Sequence, residues 1–376
     1  MNVADCLPCL AHQGKSERLA IHPSNARLSR FRRAFRPDLW LFTLAAILLL
    51  CGCGISRPAA TVTVPPSGGA SPGSFTPDVS TSPSKSSSLS LPARIVSTHH
   101  VADRTEDLTI SSPAVGDEVK VRLLLPASYK TDKARRWPVL YLLHGCCDSY
   151  VSWSRSTDIA QLTKDSDVLV AMPAGGPVGF YSDWRAGPRW ETFHTAELPR
   201  LLAQHYRASA VAAVAGVSMG GLGALDYAAR HPGMFTVAAS FSGIVHTRLS
   251  SDESQGYLGL VRSQGEDPLG LWGDPDADLE TWKQHNPYDL APQLNGVRLF
   301  ISAGNGDPGP LDSAGASPDS IESGLAAENQ AFADRVRELG LDAHIDRYGP
   351  GTHNWNYWQR ELHRAWPLIS NGLGLH

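Results

Sequence analysis

Residues 211–225, VAAVAGVSMGGLGAL, decide the fold, because an apolar strand-like run passes through a serine between two glycines into a helix-like run. Gly216, Ser218 and Gly220 form the motif G-x-S-x-G, which in this context places the serine on a sharp turn between a strand and a helix. Glycines permit so tight a turn, and the serine hydroxyl is then raised above the edge of the sheet. The stretch therefore predicts a nucleophilic serine at the carboxyl end of a buried strand.

Strand-like and helix-like segments alternate on both sides of this stretch. The predicted strands are 119–126, 137–145, 167–173, 211–217, 235–243 and 297–304, and the clearest predicted helices are 219–230 and roughly 320–339. Because most of these strands are apolar without alternation, both faces of the sheet should be covered. The prediction is an α/β protein of the α/β-hydrolase fold, with a mostly parallel central sheet and helices on both faces.

Composition divides the chain into three regions. Residues 94–376 hold the alternating segments and form the predicted hydrolase domain. Residues 54–93 are rich in Pro, Ser, Gly and Thr, a composition that cannot bury enough apolar surface to fold, so a disordered linker is predicted. Residues 1–53 are predicted to be an N-terminal extension that ends in an export segment.

The export segment is predicted from arginines that precede the apolar run Leu39–Leu50. Its 12 residues would form a helix of about 18 Å, too short for a hydrocarbon core of about 30 Å, which favours a signal segment over a stable span. The following Leu50-Cys51-Gly52-Cys53 resembles a bacterial lipobox, which predicts lipidation of Cys53 and a place on the outer face of the cytoplasmic membrane or in the cell envelope. Plain secretion and an uncleaved anchor are the alternatives.

Several kinds of ligand are disfavoured. The net charge is −4 and no dense basic stripe lies outside the N-terminal region, so no nucleic-acid partner is predicted. The segment 274–280, DPDADLE, begins like a calcium loop but lacks the required glycine and the closing glutamate, so no metal is predicted. No cofactor is predicted either.

A serine nucleophile needs a base and an acid that follow it in the chain. His353 is the predicted base, because it lies in a Gly/Pro-rich loop after the last strand-like segment. The acid is either Asp307, which follows a predicted strand, or Glu322, at a predicted helix start. Residue patterns leave these two nearly even.

Longer motifs carry a family resemblance. They are YLLHG (141–145), FYSDW (180–184), WETFHTAELP (190–199), GVSMGG (216–221), LWGDP (271–275), GNGDP (304–308) and GTHNWNYW (351–358). With their spacing, the chain from about 119 to 369 resembles the esterase D superfamily and, within it, the antigen 85 mycolyltransferases of actinobacteria. The resemblance implies a serine esterase or acyltransferase that acts on an acyl ester or lipid.

The resemblance also implies roles for particular residues. In those mycolyltransferases the acid is a glutamate that precedes an Asn by seven positions and a Phe by ten, and Glu322, Asn329 and Phe332 reproduce this spacing. Glu322 is therefore the predicted acid and Asp307 the reserve. The backbone N–H groups of Cys146 and Met219 are the implied oxyanion donors. Implied substrate contacts come from His144, Cys147, Asp183, Trp184 and Trp355.

One departure bears on the reaction. Where the mycolyltransferases carry an Asp and an Arg that hold the trehalose acceptor, this chain has His144 and Cys147. This difference favours a hydrolase, with an acyltransferase as the alternative and a non-enzymatic surface binding protein as a third. We also expect Cys146 and Cys147 to be free thiols, because a disulfide between neighbours should distort the peptide that donates to the oxyanion.

Overall fold

A computed structural model describes residues 92–375, so the predicted export segment, Cys53 and nearly all of the predicted linker lie outside the described residues. The strands are β1 (Arg94–Ala102), β2 (Thr105–Ser112), β3 (Asp117–Leu124), β4 (Trp137–Leu143), β5 (Leu169–Pro173), β6 (Ala208–Val217), β7 (Val237–Phe241), β8 (Arg298–Gly304) and β9 (Ala343–Gly349). The helices are α1 (Ser152–Ser156), α2 (Ile159–Leu162), α3 (Trp190–Thr192), α4 (Leu198–His205), α5 (Met219–Arg230), α6 (Ser251–Ser263), α7 (Pro268–Trp272), α8 (Leu279–Lys283), α9 (Pro287–Leu290), α10 (Ser320–Glu338) and α11 (Trp355–Gly372).

All nine strands lie in one sheet in the order β1-β2-β3-β5-β4-β6-β7-β8-β9. The pairs from β1 through β3 to β5 are antiparallel, and every pair from β5 and β4 to β9 is parallel. Every predicted strand boundary lies within three residues of the observed one, and the predicted helix 219–230 coincides with α5. The predicted α/β-hydrolase fold with its mostly parallel sheet is confirmed.

The hairpin of β1 and β2 was not predicted from the sequence. Strand β1 is exposed along almost its whole length and includes two histidines, so its hydrophobic pattern is weak. It pairs with β2 at the edge of the sheet, where backbone hydrogen bonding rather than side-chain burial sets the conformation.

Helices cover both faces of the sheet. Alternate residues of β4 point to opposite sides: Tyr141 belongs to the apolar cluster that includes α4, α5 and α10, and Leu142 to the cluster that includes α1, α2 and α11. This burial on both faces explains why the central strands are apolar without alternation.

The register of the parallel strands aligns their carboxyl ends. Leu143 of β4 pairs with Gly216 of β6, Val217 pairs with Phe241 of β7, and Phe241 pairs with Ser302 of β8. The loops after these strands therefore meet at one edge of the sheet, where open parallel sheets place their ligand sites. In residues 92–375, no helix combines the length and the apolar character needed to cross a membrane.

Candidate active site

Ser218 lies at the sharp turn between β6 and α5. Its backbone has φ 55° and ψ −121°, a conformation that non-glycine residues rarely adopt. The flanking glycines are sterically required: a Cβ on Gly216 would lie 2.0 Å from the carbonyl oxygen of Gly220, and one on Gly220 would lie 2.3 Å from that of Leu143. The G-x-S-x-G motif thus forms the strained turn predicted for it, and the serine is half-buried.

His353 lies in the loop between β9 and α11 and is only 3% exposed. Its Nδ1 is 2.7 Å from Oε2 of Glu322, and its ring meets that of Trp358 edge-on at 4.8 Å. Because a carboxylate oxygen can only accept a hydrogen bond, Nδ1 carries the proton and the neutral ring keeps its lone pair on Nε2. The ring therefore has the tautomer that a general base requires.

Glu322 lies in the first turn of α10 and is 0% exposed. In addition to His353, Ser242 Oγ and the Gly304 N–H donate to its Oε1, at 2.8 and 2.6 Å. These bonds satisfy the oxygen atoms of a carboxyl group that has no access to water. The structure thus brings Glu322 and His353 together.

Asp307, the reserve acid, is exposed and does not contact His353. Its Oδ2 accepts a hydrogen bond from the side chain of Asn305 at 2.9 Å. The two other residues of the acid's spacing pattern support the helix: Asn329 Nδ2 donates to the carbonyl of Gly243 at 2.9 Å, and Phe332 is fully buried. The structure therefore places the reserve acid apart from the base.

Two residues that hold this pair were not predicted from the sequence. Asp319 Oδ1 accepts from the Glu322 N–H at 3.2 Å, and its Oδ2 accepts from the His353 N–H at 3.0 Å, so one side chain joins the acid helix to the base loop. Asp319 precedes Glu322 by three positions, and this helix-start pattern could have revealed it. Ser242, which follows β7 at φ 46°, has no comparable signal.

A further carboxylate, that of Asp312, accepts hydrogen bonds from the loop that contains His353. Asp312 Oδ1 accepts from Thr352 Oγ1 at 2.5 Å and from Asn354 Nδ2 at 2.8 Å, so it binds the residues before and after His353. Although burial raises the pKa of Asp312, its hydrogen bonds outweigh burial and lower the pKa below its usual value. The loop is thus held by an ionised side chain.

The predicted oxyanion donors lie beside Ser218. A Cβ on Gly145 would be 3.1 Å from the Cβ of Ser218, which places the peptide between Gly145 and Cys146 next to the nucleophile. Met219 is the first residue of α5, where backbone N–H groups have no partner within the helix. Within residues 92–375, neither the Cys146 nor the Met219 N–H donates to a protein acceptor. Both N–H groups thus lack a protein acceptor within the described residues, as the predicted role requires, and the Met219 residue itself is buried.

The expectation of free thiols is wrong, because Cys146 and Cys147 are joined by a disulfide. The ring that this bond closes encloses the peptide between Cys146 and Cys147. The N–H of Cys146 belongs to the preceding peptide, from Gly145 to Cys146, which lies outside the ring. The disulfide therefore constrains the peptide that follows the one with the predicted donor, so it does not bar that N–H from its predicted role.

Three of the predicted substrate contacts have side chains that are engaged within the protein. Both ring nitrogens of His144 are bonded to backbone groups, and the residue is 1% exposed. Asp183 accepts from the N–H and the hydroxyl of Thr192, and Trp184 is buried with its N–H bonded to Gly179. His144 and Trp184 are buried, which gives them structural roles instead, whereas the half-buried Asp183 stays a predicted contact.

The other two predicted contacts remain predictions. Cys147 is half-buried and directly follows Cys146, whose N–H is a predicted oxyanion donor. Trp355 is also half-buried, and its ring meets those of Trp153 and Trp358 edge-on at 5.2 and 5.0 Å. Trp358 in turn contacts the base, so this aromatic group adjoins His353. Both side chains retain surface that a substrate could contact.

Glu328, one turn and a half beyond Glu322 on α10, supports the loop after β7 and is 1% exposed. Its Oε2 accepts from the N–H groups of Val245 and His246, both at 2.8 Å, and its Oε1 accepts from the hydroxyl of Tyr257 on α6. Burial raises the pKa of Glu328 to about 7, although these hydrogen bonds oppose the rise. The loop that carries Ser242 is thus tied to a titratable buried group.

Comparisons with known proteins identify the family and the fold of the chain. The family model described as "Putative esterase" matches residues 112–369. The chain is 31% identical to diacylglycerol acyltransferase/mycolyltransferase Ag85B of Mycolicibacterium smegmatis, over 72% of this chain and 85% of that protein. Mycobacterium tuberculosis MPT51 (FbpC1) has a TM-score of 0.61 and 27% identity, over 72% of this chain and 100% of that chain. S-formylglutathione hydrolase from Agrobacterium tumefaciens, at 20% identity and a TM-score of 0.57, covers 74% of this chain and 99% of that one and has the same fold.

The raised pKa of Glu328 predicts a pH-dependent stability that Glu328→Gln should remove. Because the folded-state pKa of about 7 exceeds the ordinary 4.5, the proton stabilises the folded state fully below about pH 4.5, and this contribution is lost as the pH rises to 7. The free energy of unfolding of the wild type, relative to the variant, should fall by up to about 1.4 kcal/mol per pH unit in this window. Denaturant titrations from pH 4 to 8 measure it. Glu338→Gln, an exposed change on the same helix, is the control, and a constant difference between wild type and Glu328→Gln contradicts the prediction.

Proposed function

Because the chain belongs to the esterase family whose model matches residues 112–369, we propose that it cleaves acyl esters through a covalent acyl-serine intermediate on Ser218. The observation that carries the proposal is the buried contact of 2.7 Å between His353 and Glu322, at the sheet edge where Ser218 occupies its strained turn. An imidazole held by a buried carboxylate is the arrangement that activates a serine hydroxyl.

Each residue has a defined role in the proposed reaction. Ser218 Oγ attacks the ester carbonyl carbon while its proton passes to Nε2 of His353, and Glu322 stabilises the resulting imidazolium. The N–H groups of Cys146 and Met219 stabilise the negative oxygen of the tetrahedral intermediate. This intermediate collapses to the acyl-enzyme as the alcohol leaves with the proton from His353. An incoming hydroxyl group then resolves the acyl-enzyme by the same steps in reverse.

Water is the proposed acceptor, which makes the enzyme a hydrolase. The support is the replacement of the two charged acceptor-binding positions of the antigen 85 mycolyltransferases by His144 and Cys147. In the structure His144 is buried and Cys147 is bonded to its neighbour, so neither presents a charged group to a sugar. An enzyme without acceptor contacts has little to hold an alcohol in preference to water.

Acyl transfer is the second candidate. Its support is the 31% identity to a relative named diacylglycerol acyltransferase/mycolyltransferase, which extends over 85% of that protein. In such an enzyme, a bound alcohol would replace water in the second half of the reaction.

We further propose that the enzyme is exported and lipid-anchored through Cys53. The support is the sequence alone: arginines, a short apolar run and the lipobox-like Leu50-Cys51-Gly52-Cys53. The linker 54–93, taken as a flexible coil, would span on the order of 35 Å and hold the catalytic domain clear of a membrane. A lipid or acyl ester in the cell envelope is the substrate class that suits this place.

Replacement of the nucleophile or the acid should strongly reduce turnover of a short-chain nitrophenyl ester. Ser218→Ala should lower kcat/KM by at least about a thousandfold, and Glu322→Gln by roughly a hundredfold or more, because the imidazolium loses its counter-charge. Asp307→Asn is the matched control and should stay within about twofold of wild type. Full turnover by the Ser218→Ala protein would mean that Ser218 is not the nucleophile. Absence of turnover by the wild type would favour a surface binding protein.

The acceptor can be identified from the products of a long-chain acyl ester. With trehalose or a diacylglycerol added in excess, we expect free fatty acid as the main product, because His144 and Cys147 replace the two charged acceptor-binding residues of the mycolyltransferases. Mass spectrometry of the extracted lipids measures the ratio of free acid to acylated acceptor. Predominant acyl-trehalose or triacylglycerol would overturn the preference for hydrolysis and leave the acyl-serine step intact.

Lipidation at Cys53 predicts sensitivity to globomycin, which inhibits lipoprotein signal peptidase. In a bacterial host that processes lipoproteins, the treated cells should accumulate a precursor, and Cys53→Ala should fail to mature or to partition into detergent. Cys51→Ala is the neighbouring control and should mature as wild type does. Normal maturation of the Cys53→Ala protein contradicts lipidation at this residue.

A further inference from the structure

We propose that His144 is a positioning residue of the oxyanion hole, which orients and polarises the peptide whose N–H is the Cys146 donor, an assignment that rests on the proposed function. His144 occupies the last position before Gly145, at the carboxyl end of β4, and its ring lies inside the protein at 1% exposure. It therefore acts through the peptide and has no contact with substrate.

The protonation of the His144 ring follows from its two partners. Nε2 lies 2.9 Å from the backbone N–H of Gly175, which can only donate, so Nε2 carries no proton. Nδ1 lies 2.9 Å from the carbonyl oxygen of Gly145, which can only accept, so Nδ1 carries the proton. The ring is thus a neutral Nδ1–H tautomer that donates to Gly145. Burial lowers the pKa of His144, which agrees with a neutral ring.

The accepting carbonyl and the donor of the oxyanion hole belong to the same peptide unit. Gly145 C=O also accepts from the Asp148 N–H at 3.2 Å, so two donors hold it in place. The peptide from Gly145 to Cys146 is trans, and in a trans peptide the N–H points opposite to the C=O. The carbonyl faces the buried ring, so the Cys146 N–H faces the other way and has no acceptor within residues 92–375.

The hydrogen bond from His144 also strengthens the donor. Charge drawn toward a peptide carbonyl oxygen makes the N–H of the same peptide more positive, the cooperative effect seen in chains of hydrogen bonds. The peptide lies beside the nucleophile, as the 3.1 Å between a Cβ built on Gly145 and the Cβ of Ser218 shows. A second peptide is held in the same region, because the hydroxyl of Tyr181 donates to the carbonyl of His144 at 2.9 Å.

Two substitutions of similar shape each keep one of the two hydrogen bonds of His144 and remove the other. In His144→Asn, the side-chain amide can replace Nδ1–H as donor to Gly145 but cannot reach Gly175. In His144→Gln, the side-chain oxygen can replace Nε2 as acceptor from Gly175 but cannot donate to Gly145. Two inhibition constants are measured for the full-length protein: that of an alkyl trifluoromethyl ketone, which forms an oxyanion with the serine, and that of the matching methyl ketone. Their ratio, trifluoromethyl ketone over methyl ketone, reports on oxyanion binding.

The His144→Asn variant should keep this ratio within about threefold of wild type. The His144→Gln variant should lose selectivity for the trifluoromethyl ketone by roughly tenfold or more. Its kcat should fall in parallel, with little change in KM. Equal ratios in wild type and His144→Gln overturn the proposal, as does loss in the Asn variant alone, which would assign the role to the bond with Gly175. If the Gln variant does not fold, the Asn variant decides: retention supports the proposal and loss overturns it.

His285→Gln is the matched control. His285 is also a buried neutral histidine, with its pKa lowered to about 3 by burial and its ring stacked on Trp272 at 5.1 Å, and it contacts neither Gly145 nor Gly175. Its ketone ratio should equal that of wild type whatever its effect on stability. The two proposals can fail separately. Turnover by the Ser218→Ala protein contradicts the proposed function. An inactive Ser218→Ala protein together with an unchanged ketone ratio in His144→Gln contradicts only the role of His144.

Discussion

The hydrogen bond from His353 to the fully buried Glu322 is the interaction on which the candidate site depends. An ionised carboxylate cannot be removed from water unless donors replace its hydration, and Glu322 obtains them from three places. They are the loop after β9, the residue after β7 and the end of β8. The desolvation of one side chain therefore requires that three strand ends converge at fixed distances. The base is oriented by the same requirement, because it is one of the donors.

Two acidic residues near this contact hold the loop that contains the base. Asp319 connects the backbone of Glu322 to the backbone of His353, and Asp312 binds the residues on either side of His353. The loop with the base lies outside the strands and helices, and side-chain acceptors supply much of its hydrogen bonding. A histidine in a Gly/Pro-rich segment thereby has the rigidity that proton transfer at a defined position requires.

The opposite side of the site is organised by peptides rather than by charged side chains. A neutral histidine orients the peptide from Gly145 to Cys146, and the disulfide constrains the next peptide, so consecutive peptide units have separate restraints. The mycolyltransferases that the chain resembles have charged side chains at the positions of His144 and Cys147. Here the same positions are occupied by side chains that are satisfied within the protein. In the proposed mechanism these peptides stabilise the oxyanion, and neither His144 nor Cys147 presents a charge to an acceptor.

Local patterns in the sequence determined the parts of this protein that depend on neighbours in the chain. Continuous apolar strands, the turn at Ser218 and the helix that begins before Glu322 follow from backbone sterics and hydrophobic burial, and each could be predicted. The choice of Glu322 over Asp307 needed the family spacing, because both follow β8 and only packing shows which reaches His353. The role of Ser242, the partners of His144 and the bond between the cysteines were decided by the tertiary structure alone. Ser242 and His144 each bond to groups far away in the chain, and such contacts leave no pattern in the sequence. The pair of cysteines is visible in the sequence, but whether the two are bonded is not.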